Sequence, residues 1–435
     1  MVLTFSESEY LSRQSAFLGQ LPDNSLVLIP TNPRAVRSND THYPFRANSY
    51  MLYLCGWNEP ESVWIARKSD GDWHTHLLVL PRDTKAEIWE GRRPGPEGAS
   101  KEWPVDEAHS IHDLSSIVAP MLQSSGCVYA IRGLNSEIDS MLDVYKNEVH
   151  DPKPYLDSLR VIKSKPEIEL MSQSAELASR AHILAMRAGT PEVGEWHLQS
   201  VIESCFSSNR GQWAYPSIVG GGDNAAILHY NSNHDTVSEG DLVLIDAGCE
   251  IEGYASDITR TWPVNGRFSE AQKEIYELVL KAQIAAIEAC QAGARWVAFH
   301  DAASRVIAQG LIDLGILECT LDEAIGDPVE FDGPYRKYFM HGTGHFLGLD
   351  VHDVGGGRQG DDDPGPELRP GMVVTVEPGL YFGSWRTDVE IPPRYAGIGV
   401  RIEDDVLITK KGPVVLTSSC PKEIADMEAI IGRGG

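Results

Sequence analysis

No apolar run in these 435 residues approaches the roughly 18 needed to cross a bilayer, so the sequence predicts no membrane partner. The opening Met1-Val-Leu-Thr-Phe-Ser-Glu-Ser-Glu9 has neither the basic start nor the apolar core of a secretion signal. Cysteine is sparse. The seven thiols at 55, 127, 205, 249, 290, 319 and 420 are odd in number, far apart and free of any CxxC pair. Together these features predict a cytoplasmic protein with reduced thiols, in which the sequon Asn39-Asp-Thr41 is a chance match. Positive charge is also short. Against 63 Asp and Glu stand 37 Lys and Arg, a net charge of −26, which argues against nucleic acid or an anionic membrane as partner. Neither HExxH nor GxSxG is present, which removes the zincin and nucleophile-elbow routes to hydrolysis. Gly220-Gly-Gly222 and Gly355-Gly-Gly357 lack the lysine and hydroxyl of a phosphate loop and are expected to be flexible loops. Asp361-Asp-Asp363 is expected to be a solvated loop.

What is present is a globular chain, 42% hydrophobic and 23% charged. It is too long for one ordinary core, so two domains are expected. In the first part, apolar runs at Ser25–Pro30, Ser62–Ala66, His76–Pro81 and Cys127–Ile131 read as strands. They alternate with helical stretches at Glu7–Leu18 and Ser136–Glu148, a pattern of an α/β domain. Asp151-Pro-Lys-Pro154 punctuates the chain as a linker would. Ser164-Lys-Pro-Glu167 has the spacing of a capping box and opens a long amphipathic helix running to Arg187, ahead of Gly189. The expected domains are therefore 1–160 and 161–435. Further helical patterns recur at Trp196–Phe206, Glu270–Ala292 and Trp296–Leu314.

Five residues of the second part, Asp246, Asp257, His345, Glu377 and Glu403, combine four carboxylates with one imidazole. Such a hard, sulfur-free donor set suits two divalent cations of the Mn²⁺ kind better than a thiolate zinc site. Asp246 closes the apolar run Leu242–Ile245. If Glu252-Gly253 is a turn, Asp246 pairs with Thr259 and Asp257 lies diagonally on the same face. Two buried carboxylates so placed repel unless a cation joins them; the plain alternative is a pair of satisfied polar residues at strand ends. Val400-Arg-Ile-Glu403 alternates, so Arg401 and Glu403 share one face of what is otherwise an ordinary half-exposed strand. Pro378 stops the run Val373–Val376 and presents Glu377 at its rim. His341, His345 and His352 crowd one glycine-rich stretch, where structural loop histidines are the plain reading. His229, beside an apolar run, reads equally as a core residue. Nothing supports a nucleophilic role for Cys249.

In order and local context, these segments resemble the pita-bread metallopeptidases, most closely the Xaa-Pro aminopeptidase (aminopeptidase P) family. Arg37–Ser49, Gly56-Trp-Asn-Glu-Pro60 and Ala86–Arg93 are similar to that family's N-terminal domain, so the resemblance covers nearly the whole chain. It implies an N-terminal α/β domain followed by a pita-bread catalytic domain. Asp246 would then chelate one metal, His345 and Glu377 the other, and Asp257 and Glu403 would bridge them. A hydroxide between the metals would attack the Xaa-Pro carbonyl, and Glu377 would carry the proton to the leaving nitrogen. By the same resemblance His229 and His352 contact substrate or the tetrahedral intermediate, while His341, Arg401 and Tyr381 lie near the proline pocket. Asp40 matches a position near the free amine, and Trp89 one that reaches a neighbouring subunit, which implies a homo-oligomer. The implied substrates are peptides beginning Xaa-Pro. Prolidase shares the chemistry, and a pita-bread protein that only binds peptides is a further alternative. Methionine aminopeptidase would not need the first 160 residues, and creatinase-like enzymes lack the full donor set.

Overall fold

A computed structural model describes residues 3–145, 148–327, 332–357 and 363–433. The chain divides into two compact units, Met1–Arg160 and Val161–Gly435.

The N-terminal unit is built on a six-stranded mixed sheet. Its spatial order is Glu107–Ser110, Asp72–Val79, Val63–Ser69, Ser25–Pro30, Cys127–Ala130 and Val149–His150. Ser25–Pro30 is buried along its whole length because it lies centrally, between an antiparallel and a parallel neighbour. Leu26, Leu28, Val63, Ile65, Leu78 and Val128 pack on one face against the helices Leu114–Ser124 and Ser136–Asp143. Two expectations fail here. The helix starting at Ser136 stops at Asp143 rather than reaching Glu148. Asp151-Pro-Lys-Pro154 is not a linker: Asp151 Oδ1 accepts from Lys153 N at 2.9 Å and starts the helix Lys153–Arg160, where Pro154 is tolerated in the first turn.

The C-terminal unit sets short antiparallel strand groups against two pairs of long helices. Lys165–Ala188 packs on Glu195–Ser208, and Glu270–Ala289 on Val297–Asp313. Ser164 N donates to Glu167 Oε2 at 2.8 Å, so the expected capping residues do open the first of these. The strand groups are Ile218–Gly221 with Leu242–Asp246 and Thr259–Pro263, Gln212–Trp213 with Cys249–Ile251 and Tyr254–Ala255, Val373–Val376 with Asp404–Thr409 and Gly412–Val415, and Gly379–Phe382 with Ile398–Arg401. Leu242, Val243, Leu244 and Ile245 are all buried, each stabilising the fold by about 1.5–3 kcal/mol through transfer from water. Gly220 and Gly221 are not a flexible loop; they end a strand. A Cβ on Gly220 would meet the backbone of Asn224 at 2.8 Å, so glycine is required where the chain doubles back. Of the acidic run, Asp361 and Asp362 lie outside the described residues, while Asp363 Oδ1 accepts from Gly365 N.

Candidate metal centre

Asp246 ends its strand opposite Thr259, as the turn argument expects. Glu252 (φ 50°) and Gly253 (φ 88°) are both left-handed, the requirement of a two-residue type I′ turn. The pairs Ile251↔Tyr254 and Glu250↔Ala255 stay in step with Asp246↔Thr259. Asp246 and Asp257 therefore come to one side. The Tyr215 hydroxyl lies 2.6 Å from Asp246 Oδ1 and also hydrogen-bonds Asp257 Oδ1, bridging the two.

A second hairpin-like pairing delivers the other donors. Glu377 N donates to Thr343 O and Thr375 N to His345 O, each at 2.8 Å, which lays the His341–His345 segment beside the end of Val373–Val376. A Cβ on Gly344 would overlap Thr375 O, so this close approach accounts for the glycine. His345 Nδ1 donates to Phe346 O at 2.9 Å, which turns Nε2 towards Asp257 (3.4 Å) and Glu377 (3.9 Å). An imidazole fixed through one nitrogen, with the other turned towards carboxylates, is the usual arrangement of a metal-binding histidine. Val400 and Ile402 face the core, as the alternation implies, but the opposite face is not half-exposed. Arg401 and Glu403 are buried as well, because their side of the strand lines a cavity of about 510 Å³.

All five expected donors line this cavity, together with His229, His341, His352 and Arg401. Nitrogen and oxygen atoms of Asp257, His345 and Glu403 lie within 4.8 Å of one another. Their electrostatics fit divalent cations. Burial, then the charges of Asp257, Glu377 and Asp246, pushes Glu403 well above the usual carboxylate range. Burial raises Asp246 too, although Arg401 opposes it. Burial with the charges of Asp257 and Asp246 lifts Glu377 to about 7, even against His345 and Arg401. For His345, burial favours the neutral ring, but the hydrogen bond and charge of Asp257 and the charge of Glu377 outweigh it, giving about 9. The bare donor set thus gathers protons, and two dications would neutralise the same excess charge.

A polar wall stands beside the donors. Arg401 donates from Nη2 to Asp246 Oδ2 (2.7 Å), from Nη1 to the Tyr381 hydroxyl (3.0 Å) and from Nε to Thr259 Oγ1 (3.2 Å). The Thr259 hydroxyl in turn donates a hydrogen bond to Glu403 Oε2 at 2.7 Å. His341 Nδ1 donates to Gly342 O, so its Nε2 accepts from the Tyr381 hydroxyl, both at 2.7 Å. Burial and the Arg401 charge hold His341 neutral, with a pKa of about 3. The His352 ring lies 4.2 Å from the His345 ring, tilted 57° to it, and its pKa is lowered by burial and that ring's charge. His229 is an exposed lining residue, not a core one. Cys249 is buried, and burial pushes its thiol up to about 12, out of nucleophilic range. Asp40 and Trp89 belong to the N-terminal unit and are exposed there, Trp89 at 87%. Sequence reasoning missed Tyr215, Thr259 as a relay, and Asp405, whose carboxylate accepts from Asp257 N at 3.2 Å. The only local signal for Tyr215 is Pro216, which favours an extended residue before it.

Crowded carboxylates with an imidazole turned into them, brought together from three strand groups, define the class as a metal-dependent hydrolase. Residues 169–410 match the model of metallopeptidase family M24, and residues 10–129 that of the aminopeptidase P N-terminal domain. The Xaa-Pro aminopeptidase of Haemophilus influenzae is 42% identical over 98% of this chain and 97% of its own length. Among solved structures, Pseudomonas aeruginosa aminopeptidase PepP superposes with a TM-score of 0.92 at 40% identity, covering 99% of this chain and 98% of that one. Escherichia coli aminopeptidase P with the inhibitor Pro-Leu gives 0.93 at 38% identity, covering 98% of each chain. The chain belongs to metallopeptidase family M24, with an N-terminal aminopeptidase P domain followed by a pita-bread catalytic domain.

Proposed function

We propose that this chain is an Xaa-Pro aminopeptidase, releasing the first residue of peptides whose second residue is proline. The observation that carries this reading is the convergence of four carboxylates and His345 on one cavity lined by Arg401 and His341, both held from behind by the buried Tyr381 hydroxyl. Asp246 would hold one divalent cation, His345 and Glu377 a second, with Asp257 and Glu403 shared between them. The all-oxygen and imidazole donors favour Mn²⁺. Such a pair of cations, when bound, lowers the pKa of water and polarises a carbonyl oxygen.

The chain's own groups do the rest. Glu377, at the break between two strands, takes the proton of the attacking water and delivers it to the departing proline nitrogen. His229 and His352, at the cavity wall, contact the peptide and the oxygen on which charge develops. The neutral ring of His341, locked by Tyr381 and Gly342, gives the pyrrolidine an uncharged wall beside Arg401. By family resemblance, Asp40 serves the free amine of the substrate. Trp89 serves a neighbouring subunit, which makes the protein a homo-oligomer. The seven free thiols accord with a reducing, cytoplasmic setting.

The test compares kcat/KM on Xaa-Pro-Yaa peptides and on Xaa-Pro dipeptides after chelation and again after Mn²⁺ is restored. Tripeptide turnover that needs the metal is expected. Faster turnover of the dipeptide would make the enzyme a prolidase. Activity on neither substrate, or activity indifferent to chelator, would overturn the reading.

A further inference from the structure

A second group of metal-type side chains stands in the N-terminal unit. Across its sheet, the buried row Ala130–Leu28–Ile65 ends in His76 paired with Glu107. The next row, Val63–Leu78, ends in His109. Because side chains alternate along a strand, His76, Glu107 and His109 all rise from one face, at the outermost, parallel strand pair.

Their reactive atoms meet at one point. His76 Nδ1 is 3.3 Å from His109 Nε2, Glu107 Oε2 is 3.2 Å from His109 Nε2, and Glu107 Oε2 is 3.7 Å from His76 Nδ1. Ligand atoms about 2.0–2.2 Å from a tetrahedral Zn²⁺ stand about 3.3–3.6 Å from each other, so these separations come within about 0.1 Å of the edges of such a tetrahedron. Two imidazole nitrogens at that distance are joined either by an N–H···N hydrogen bond or by a shared cation, and Glu107 Oε2 beside both supplies the third donor a cation would take.

The backbone beneath is fixed. Asp106 Oδ2 accepts from Thr75 N (2.7 Å) and Thr75 Oγ1 (2.9 Å), and Asp106 N donates back to Thr75 Oγ1 at 3.0 Å. Ala108 N donates to Ser100 Oγ at 2.8 Å. This clasp consumes the neighbouring carboxylate and holds the three donors in register. The His76 side chain is only 13% exposed and Glu107 is 62% exposed, so the group is anchored at one end and open at the other. Burial, with His109 and His74 nearby, lowers His76 and keeps its lone pair available, although Glu107 opposes this.

We propose that His76, Glu107 and His109 bind one borderline divalent cation of the Zn²⁺ class, tying the edge strand Glu107–Ser110 to Asp72–Val79. Two nitrogens and one oxygen suit Zn²⁺ better than Mn²⁺, so this site and the catalytic one differ in preference.

The experiment measures Zn²⁺ bound per full-length chain by equilibrium dialysis after chelation, for wild type and for the double variant His76→Gln/His109→Gln. All five catalytic donors are intact in both, so they cancel in the difference. The variant is expected to bind one equivalent fewer while keeping wild-type peptidase activity with Mn²⁺. Glu107→Gln, at an exposed position, should weaken that equivalent at least tenfold, since losing even an outer partner of a metal ligand costs roughly that much. Equal Zn²⁺ binding by wild type and the double variant would overturn the proposal and leave a histidine pair sharing a proton. If the double variant does not fold, unchanged Zn²⁺ affinity in Glu107→Gln overturns it alone.

Discussion

Tyr215 carries a single phenolic proton between two carboxylates that would otherwise repel. Burial and the charges of Asp246 and Asp257 raise its pKa well above the ordinary tyrosine value, so it remains a donor. Tyr215→Phe keeps the ring and removes that proton. Metal affinity is expected to fall roughly 10–100-fold, the usual cost of losing a group that orients ligands. Titration against a competing chelator measures it, and unchanged affinity would contradict the role. His182 offers a pH test. It is fully buried, its Nε2 donates to Ala247 O at 3.0 Å, and burial lowers its pKa to about 4. The unfolded chain, near 6.5, binds this proton first, so stability declines as pH falls from 6.5 towards 4. Between pH 7 and pH 5 the loss is about 2 kcal/mol from this group. His182→Gln should remove that part of the slope in denaturant unfolding; an identical slope would contradict it. At this scale the sequence is legible where a residue's neighbours set its direction. Glu403 follows from the alternation of Val400 and Ile402, whereas Tyr215 sits in an aperiodic stretch and meets its partners only through tertiary folding.

Between the elements, one buried ion cluster fixes the strand that follows Glu403. Asp404 accepts from Arg260 Nη2 (2.7 Å), Lys422 Nζ (2.7 Å), Gln283 Nε2 (2.8 Å) and Thr417 Oγ1 (2.7 Å). Arg260 Nη1 also donates to Glu403 O at 2.6 Å. Burial alone would raise Asp404, but Arg260 and Lys422 hold it down at about 2. Arg260→Met strands a buried carboxylate and should cost about 3 kcal/mol, the lower end for a broken buried pair because Lys422 remains. Adding Asp404→Leu should recover part of that loss in denaturant unfolding, and a purely additive double variant would contradict the coupling. Elements with strong local signals were readable. Leu242–Ile245, the Glu252-Gly253 turn and the capping residues at Ser164 determine their own structure. Gly220-Gly-Gly222 misled because its glycines answer a close approach by Asn224, which no local pattern records.

Over the whole molecule, the order of five short motifs and the N-terminal segments carried the family, while composition carried only what the chain is not. Two dications would offset part of the net charge of −26; the remaining field would attract a free ammonium end, or do no more than keep the protein in solution. The fold class was legible because strand and helix signals alternate in the first unit and because motif order is independent of loop length. The convergence of Asp246, Asp257, His345, Glu377 and Glu403 on one cavity needed three separate strand groups to meet. The most direct measurement titrates Mn²⁺ into the chelated full chain, reading bound metal and hydrolysis of an Xaa-Pro-Yaa peptide together, for wild type and Glu403→Gln. Activity should track occupancy and level off at about two equivalents, with metal affinity and turnover lost together in Glu403→Gln. Full activity in the chelated chain, or wild-type metal content and turnover in Glu403→Gln, would contradict a two-metal centre.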